Sequence, residues 1–179
     1  MQTFVLPVAV LATLATSTLA AVCSGPHART EPPAGAIVVD GTRAYNGSFR
    51  TVAEAVASVT NDTAEHTIFV LPGIYNEQVY VPQLNGPLVI QGYTCNTTSY
   101  ADNQVTITQA RAQANIPPEI TDGRNYLTTT LGLKSSSGVK VYNLNVANTA
   151  GQFDRNGQAV AVYVDDTDYG FYGCNFTGY

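Results

Sequence analysis

At 179 residues the chain has the length of one ordinary domain. Only 12% of its residues are charged and the formal net charge is −5, with every Lys, Arg, Asp and Glu after residue 28. So acidic and Lys-poor a chain argues against nucleic acid and anionic membrane as partners, because phosphate binding takes clustered Lys and Arg.

Residues 1–20 read as a secretory signal peptide. Phe4–Leu14 is a mostly apolar run containing Pro7 and Thr13. It is short of the roughly 20 apolar residues that span a bilayer. Thr18-Leu19-Ala20 or Leu19-Ala20-Ala21 supplies a small-x-small cleavage site, although no Lys or Arg precedes the run. A buried N-terminal core helix is the rival, disfavoured by the abrupt polar shift after Val22. Residues 21–34, with three prolines between Val22 and Pro33, read as a flexible leader. The folded domain is expected over 35–179.

Gly35–Asp40 is a short strand, followed by a turn at Asn46-Gly47. Phe49–Val59 has the one clear helical period, with Phe49, Val52, Ala53, Val56 and Val59 on one face and Ser48 as N-cap. Strands follow at Thr67–Leu71, Gln78–Val81, Pro87–Gln91 and Val105–Thr108. Ala112–Asn125, with Pro117-Pro118 and Asp122-Gly123, is a loop, and Tyr126–Leu133 is Thr-rich and extended. Val139–Val146 largely alternates apolar and polar, ending at Ala147-Asn148-Thr149. Ala159–Val164 and Tyr169–Phe176 flank an acidic turn.

Short strands punctuated by Gly, Pro and Asn make this an all-β chain with one early helix. Neither Asn-Gly nor Asp-Gly links two strands as a two-residue hairpin turn, which disfavours an antiparallel sandwich. The pattern favours a parallel β-helix, with the initial helix capping the open end of the solenoid. The spacing of its apolar runs varies, so no exact repeat emerges.

Candidates for chemistry are few. Glu77, after Gly73-Ile74-Tyr75-Asn76, lacks a second carboxylate partner and reads as an acceptor of backbone or Tyr hydrogen bonds. Asp165, Asp166 and Asp168 lack the ligand ladder of a calcium loop and read as a solvated turn. The two histidines, His27 and His66, form no triad or zinc pattern, and no metal or cofactor is expected. Gln158 stands before a run of small residues, where an amide can donate to a developing oxyanion, although taken alone it reads as a surface Gln. Asn46, Asn61, Asn96 and Asn175 are glycosylation sequons, with Asn175 inside an apolar run. Cys23, Cys95 and Cys174 allow one pair and one odd thiol, with Cys174 equally readable as a buried free cysteine.

Several segments, taken together and in order, resemble the pectin methylesterase family, above all its fungal members. They are Gly35–Asp40, Thr67–Leu71, Gly73–Val79, Tyr100–Thr106, Val141–Thr149, Gly157–Val162 and Tyr172–Tyr179. The resemblance implies a right-handed parallel β-helix and hydrolysis of methyl esters of galacturonan in pectin. It implies a metal-free reaction with an aspartate nucleophile, an aspartate acid/base, an arginine that positions the nucleophile, and glutamines at the oxyanion. Gln158 matches the first of those glutamines and Thr130 a substrate-contacting threonine, while Tyr75 and Glu77 match a signature of structural weight. The catalytic aspartates and the arginine match no residue here, so the chain reads as an N-terminal part of the domain, inactive alone and prone to self-associate at an open coil. The implied setting is secreted and extracellular, with pectin as partner. Rival readings are another polysaccharide-acting β-helix enzyme, such as a lyase or glycosidase, and a non-catalytic module that binds polysaccharide through Tyr side chains.

Overall fold

The structure is a computed structural model and describes residues 23–152, 155 and 157–178. The expected signal peptide, 1–20, lies outside the described residues. Strand β1 (Ile37–Val39) leads to helix α1 (Val52–Ala57). Three strands then make the first full coil: β2 (His66–Val70), β3 (Gly73–Asn76) and β4 (Val79–Val81). The second coil is β5 (Leu88–Gly92), β6 (Val105–Gln109) and, after the short helix α2 (Arg124–Thr128), β7 (Leu131–Leu133). The third is β8 (Val139–Tyr142), β9 (Asn145–Asn148) and β10 (Val162–Val164). Strands β11 (Tyr169–Tyr172) and β12 (Asn175–Thr177) begin a fourth.

Each strand hydrogen-bonds in parallel to its counterpart one coil away. The result is a first sheet β1-β2-β5-β8-β11, a second β3-β6-β9-β12 and a third β4-β7-β10. This is a parallel β-helix. Register aligns like with like: Ile37, Ile68, Ile90, Val141 and Phe171 form one ladder. Tyr75, Ile107, Val146 and Phe176 form a second, and Val79, Leu131 and Val162 a third. The buried members converge on one core; each fully buried Leu or Ile contributes about 1.5–3 kcal/mol.

The repeat was hidden because the corners differ in length. Asn143-Leu144 alone turns the chain from β8 to β9, whereas residues 93–104 and 110–130 are the equivalent and following links of the coil below. Asn143 adopts a left-handed φ of 52°, and Gly173 at the same corner of the next coil has φ 57°. The alternation expected as one strand over Val139–Val146 is therefore two strands on two sheets. Tyr169–Phe176 breaks likewise at Gly173-Cys174.

Helix α1 is shorter than Phe49–Val59 and its N-cap is Thr51, not Ser48. Thr51 with Glu54 makes a reciprocal capping box, while the Ser48 hydroxyl donates to the Tyr45 carbonyl at 2.7 Å. Val52, Ala55 and Val56 bury into the core, so α1 covers the first coil. Part of the segment expected as extended, Tyr126–Leu133, is helical through Thr128.

The segment expected as a flexible leader is tied down over its described residues. Cys23 pairs with Cys95, leaving Cys174 free. Arg29 exchanges backbone hydrogen bonds with Thr94 at 2.9 and 3.0 Å. Its guanidinium donates to Asn143 at 3.0 Å and lies 5.4 Å from the centroid of Tyr142. Composition disfavours a packed core here, but these covalent and polar ties replace one.

Candidate active-site face

Gln158 is exposed, on the stretch that enters β10 and the third sheet. Its carbonyl accepts the Gln113 N–H at 3.0 Å. The carbonyls of Val160 and Ala161 accept the N–H groups of Thr130 and Leu131 at 3.0 and 2.9 Å. Ala159 and Ala161 are buried, and small side chains let this stretch lie close on Thr129–Leu131. Gly157 (φ 68°) has the Gln113 side chain where a Cβ would stand, 2.6 Å from the nearest atom.

Thr130, expected as a substrate contact, faces inward in this structure. It is fully buried, its hydroxyl donating to the Ala147 carbonyl at 3.0 Å and accepting from Gln109 Nε2 at 3.2 Å. It lies beneath the Gln158 stretch and holds it from below. Two residues missed by the sequence reading complete this support. Gln109 also donates to the Thr128 carbonyl at 2.7 Å. Asn148 Nδ2 donates to the carbonyls of Thr128, Arg111 and Val160 at 2.8, 2.9 and 3.2 Å. Gln109 and Asn148 are register partners on β6 and β9. The available signal was a polar residue at an inward position, one step past Ile107 and Val146.

The outward face of the third sheet carries Tyr80, Gly132 and Tyr163 in register. Gly132 leaves a gap that the Tyr126 ring fills: a Cβ there would come within 2.8 Å of Tyr126 and 2.9 Å of Tyr80. The Tyr126 centroid is 4.8 Å from that of Tyr80 and 5.3 Å from that of Tyr163. Lys134 Nζ sits 4.0 Å from the Tyr126 centroid and 3.6 Å from Asp165. The Tyr163 hydroxyl donates to Asp165 at 3.2 Å. Burial raises the phenol pKa of Tyr80 and of Tyr126, and the Asp165 carboxylate raises that of Tyr163.

The remaining candidates have structural roles. Glu77 accepts the N–H groups of Val52 and Ala53, both at 2.9 Å, at the start of α1; burial raises its pKa. Tyr75 is buried with its hydroxyl on the Leu71 carbonyl at 2.9 Å. Asp165, Asp166 and Asp168 form a turn in which Asp166 accepts the Thr167 N–H at 2.8 Å and Asp168 has φ 65°. Among the described residues no group of three or more His, Cys, Asp or Glu comes together as a metal site. Asn46, Asn61 and Asn175 are exposed and Asn96 is half-buried, so the apolar run around Asn175 does not bury it. Its strand is the outermost of the second sheet.

The family pattern described as Pectinesterase matches residues 36–179. The chain belongs to the pectinesterase family. A pectinesterase of Aspergillus aculeatus is 43% identical over 164 residues, covering 91% of this chain and 46% of that protein. The crystal structure of the deglycosylated pectin methylesterase of Aspergillus niger is 31% identical with a TM-score of 0.70, covering 82% of this chain and 44% of that one. A pectin methylesterase solved in complex with a hexasaccharide is 20% identical, with a TM-score of 0.61, over 77% of this chain and 42% of that one; it shares the fold. The chain thus spans less than half the length of these pectinesterases.

Proposed function

We propose that this protein acts in hydrolysis of the methyl esters of galacturonan in pectin, yielding methanol and free carboxylates during cell wall modification. The observation that carries this reading is Gln158: an exposed amide on a backbone stretch fixed from below by Thr130 and Asn148. An amide carried to the surface on a fixed backbone can donate to the oxyanion of an ester under attack. Thr130 serves as a positioning residue rather than a substrate contact. The aspartate pair and the arginine of the family's reaction correspond to no residue of this chain. Asp165 lies beside Lys134 and accepts from Tyr163, and Asp166 accepts from the turn backbone.

Secretion into an oxidising compartment accounts for the Cys23–Cys95 pair, the sequons at Asn46, Asn61, Asn96 and Asn175, and a signal peptide over 1–20. The tied-down 23–34 segment then precedes the N-terminal part of the β-helix domain, 35–179. Val164, Tyr172 and Phe176, all exposed on the outermost strands, support self-association of this chain through that end. The acidic surface supports neither nucleic acid nor membrane as partner. The tyrosines on the third sheet favour a second reading, in which this stretch binds pectin without turning it over.

Methanol release from highly methylated pectin tests the proposal, using the gene product continued to the length of its relatives. The continued protein releases methanol, and Gln158→Ala lowers kcat by about 10²–10³. The 179-residue chain alone releases none. Methanol from that chain alone would place the reaction on residues within it.

A further inference from the structure

We propose that the Lys134 corner of the tyrosine face is a binding subsite for the free carboxylate of a uronate, so that the chain takes de-esterified stretches of an acidic polysaccharide in preference to methylated ones. This rests on pectin being the ligand and adds which of its two chemical forms this face holds.

Tyr80, Tyr126 and Tyr163 form a continuous, half-exposed aromatic strip across all three strands of the third sheet. Sugar rings dock on such faces through their C–H surfaces, and this contact is the same for an acid and its methyl ester. The discrimination comes from charge. Lys134 Nζ stands over the middle ring, with 43% of its side chain exposed and Asp165 as its one ion-pair partner among the described residues. Arg111, beside Tyr80 at the other end of the strip, donates its guanidinium to Gln78 at 3.2 Å. Lys134 is the cation that lies over the middle ring of the strip.

Asp165 is the competitor. Its carboxylate is 3.6 Å from Lys134 and 45% exposed, an ion pair of the weak, solvated kind that another carboxylate can replace at little cost. The Tyr163 hydroxyl, donated to Asp165, keeps a partner for the carboxylate when Lys134 turns away. The chain's charge of −5 repels a polyanion at long range. At about 0.15 M salt that field is screened beyond about 8 Å, and the nearest cation decides the preference.

Calorimetric titration of the 179-residue chain with oligogalacturonate and with its fully methylated counterpart, of equal length and at that salt, tests this. The wild type binds the free acid more tightly, by roughly three- to fivefold. Lys134→Gln removes that preference while leaving the methylated affinity in place. Asp165→Asn increases the preference by freeing Lys134. Tyr80→Ala, which removes a ring of the strip without touching Asp165, weakens both ligands alike. Equal affinities in the wild type, or a ratio unchanged in Lys134→Gln or Asp165→Asn, would overturn the subsite and leave pectin binding standing. Failure to bind either oligosaccharide would overturn the subsite together with this face as a pectin-binding surface.

Discussion

The Glu77 carboxylate accepts the Ala53 N–H at 2.9 Å, fastening the first coil to the helix that covers it. Its other oxygen takes the Val52 N–H, so two of the helix's unpaired donors end on one side chain. Glu77→Ala is expected to cost about 2 kcal/mol, the range for hydrogen bonds to a charged group. Burial is the larger influence on this carboxyl and raises its pKa; the two N–H donors pull it back in part. A raised folded pKa means that the group's contribution is fully present below the unfolded value and is lost as pH rises through the folded one. Melting temperatures taken upward from about pH 4 should therefore show a falling step, and Glu77→Gln should flatten it. A step of the same size in Glu77→Gln would assign it to another group.

The Cys23–Cys95 bond spans 72 positions and holds the N-terminal segment against the second coil. Closing so long a loop in the unfolded chain removes entropy worth about 4 kcal/mol. Reductant, or Cys23→Ala with Cys95→Ala, should lower the thermal midpoint by several degrees. The Arg29–Thr94 backbone bonds should exchange their amide protons faster at the same time. An unchanged midpoint would show that the segment is held by its hydrogen bonds alone.

Asn148→Ala leaves the carbonyls of Arg111, Thr128 and Val160 without that donor in a buried place. The expected loss is about 1–3 kcal/mol in a urea titration. Amide exchange gives the sharper reading: the Thr130 N–H, which bonds Val160, should lose protection, whereas the β2–β5 ladder should keep its own. Uniform loss across both would make Asn148 a general core residue and remove its particular tie to the Gln158 stretch.

How far the fold was legible depended on where the signal lay. Runs such as Thr67–Leu71 and Pro87–Gln91 are apolar enough to mark buried strands, and β2 and β5 lie within one residue of them. Thr51-x-x-Glu54 was readable as a capping box, yet the apolar period at Phe49 extended the expected helix past it. The corner at Asn143 left only a faint mark, a slip of one residue in the alternation between Val141 and Leu144, where a single left-handed residue turns the chain. The tether of 23–34 was equally hidden: a disulfide and an arginine act across more than 60 positions and leave no local pattern. In the site, Gln158 could be picked out by resemblance, whereas the buried state of Thr130 and the support from Gln109 and Asn148 arise only when three coils are stacked. The tyrosine strip was legible merely as a high Tyr count, since Tyr80, Tyr126 and Tyr163 meet through register and through the gap at Gly132.

Residues 110–130 and 149–161 leave the second sheet at the same corner of successive coils and rejoin at the third. In the coil below, Glu77-Gln78 alone makes that passage. The stacking ladders fix the pitch of the solenoid but place no limit on what is threaded between those two sheets. Insertions and deletions can therefore accumulate at this corner during evolution without disturbing any rung. Gln158 and Tyr126 come from these excursions, braced by Gln109 and Asn148 at the ends of the strands that the excursions leave, so specificity can diversify along one seam of the molecule while the rest stays constant.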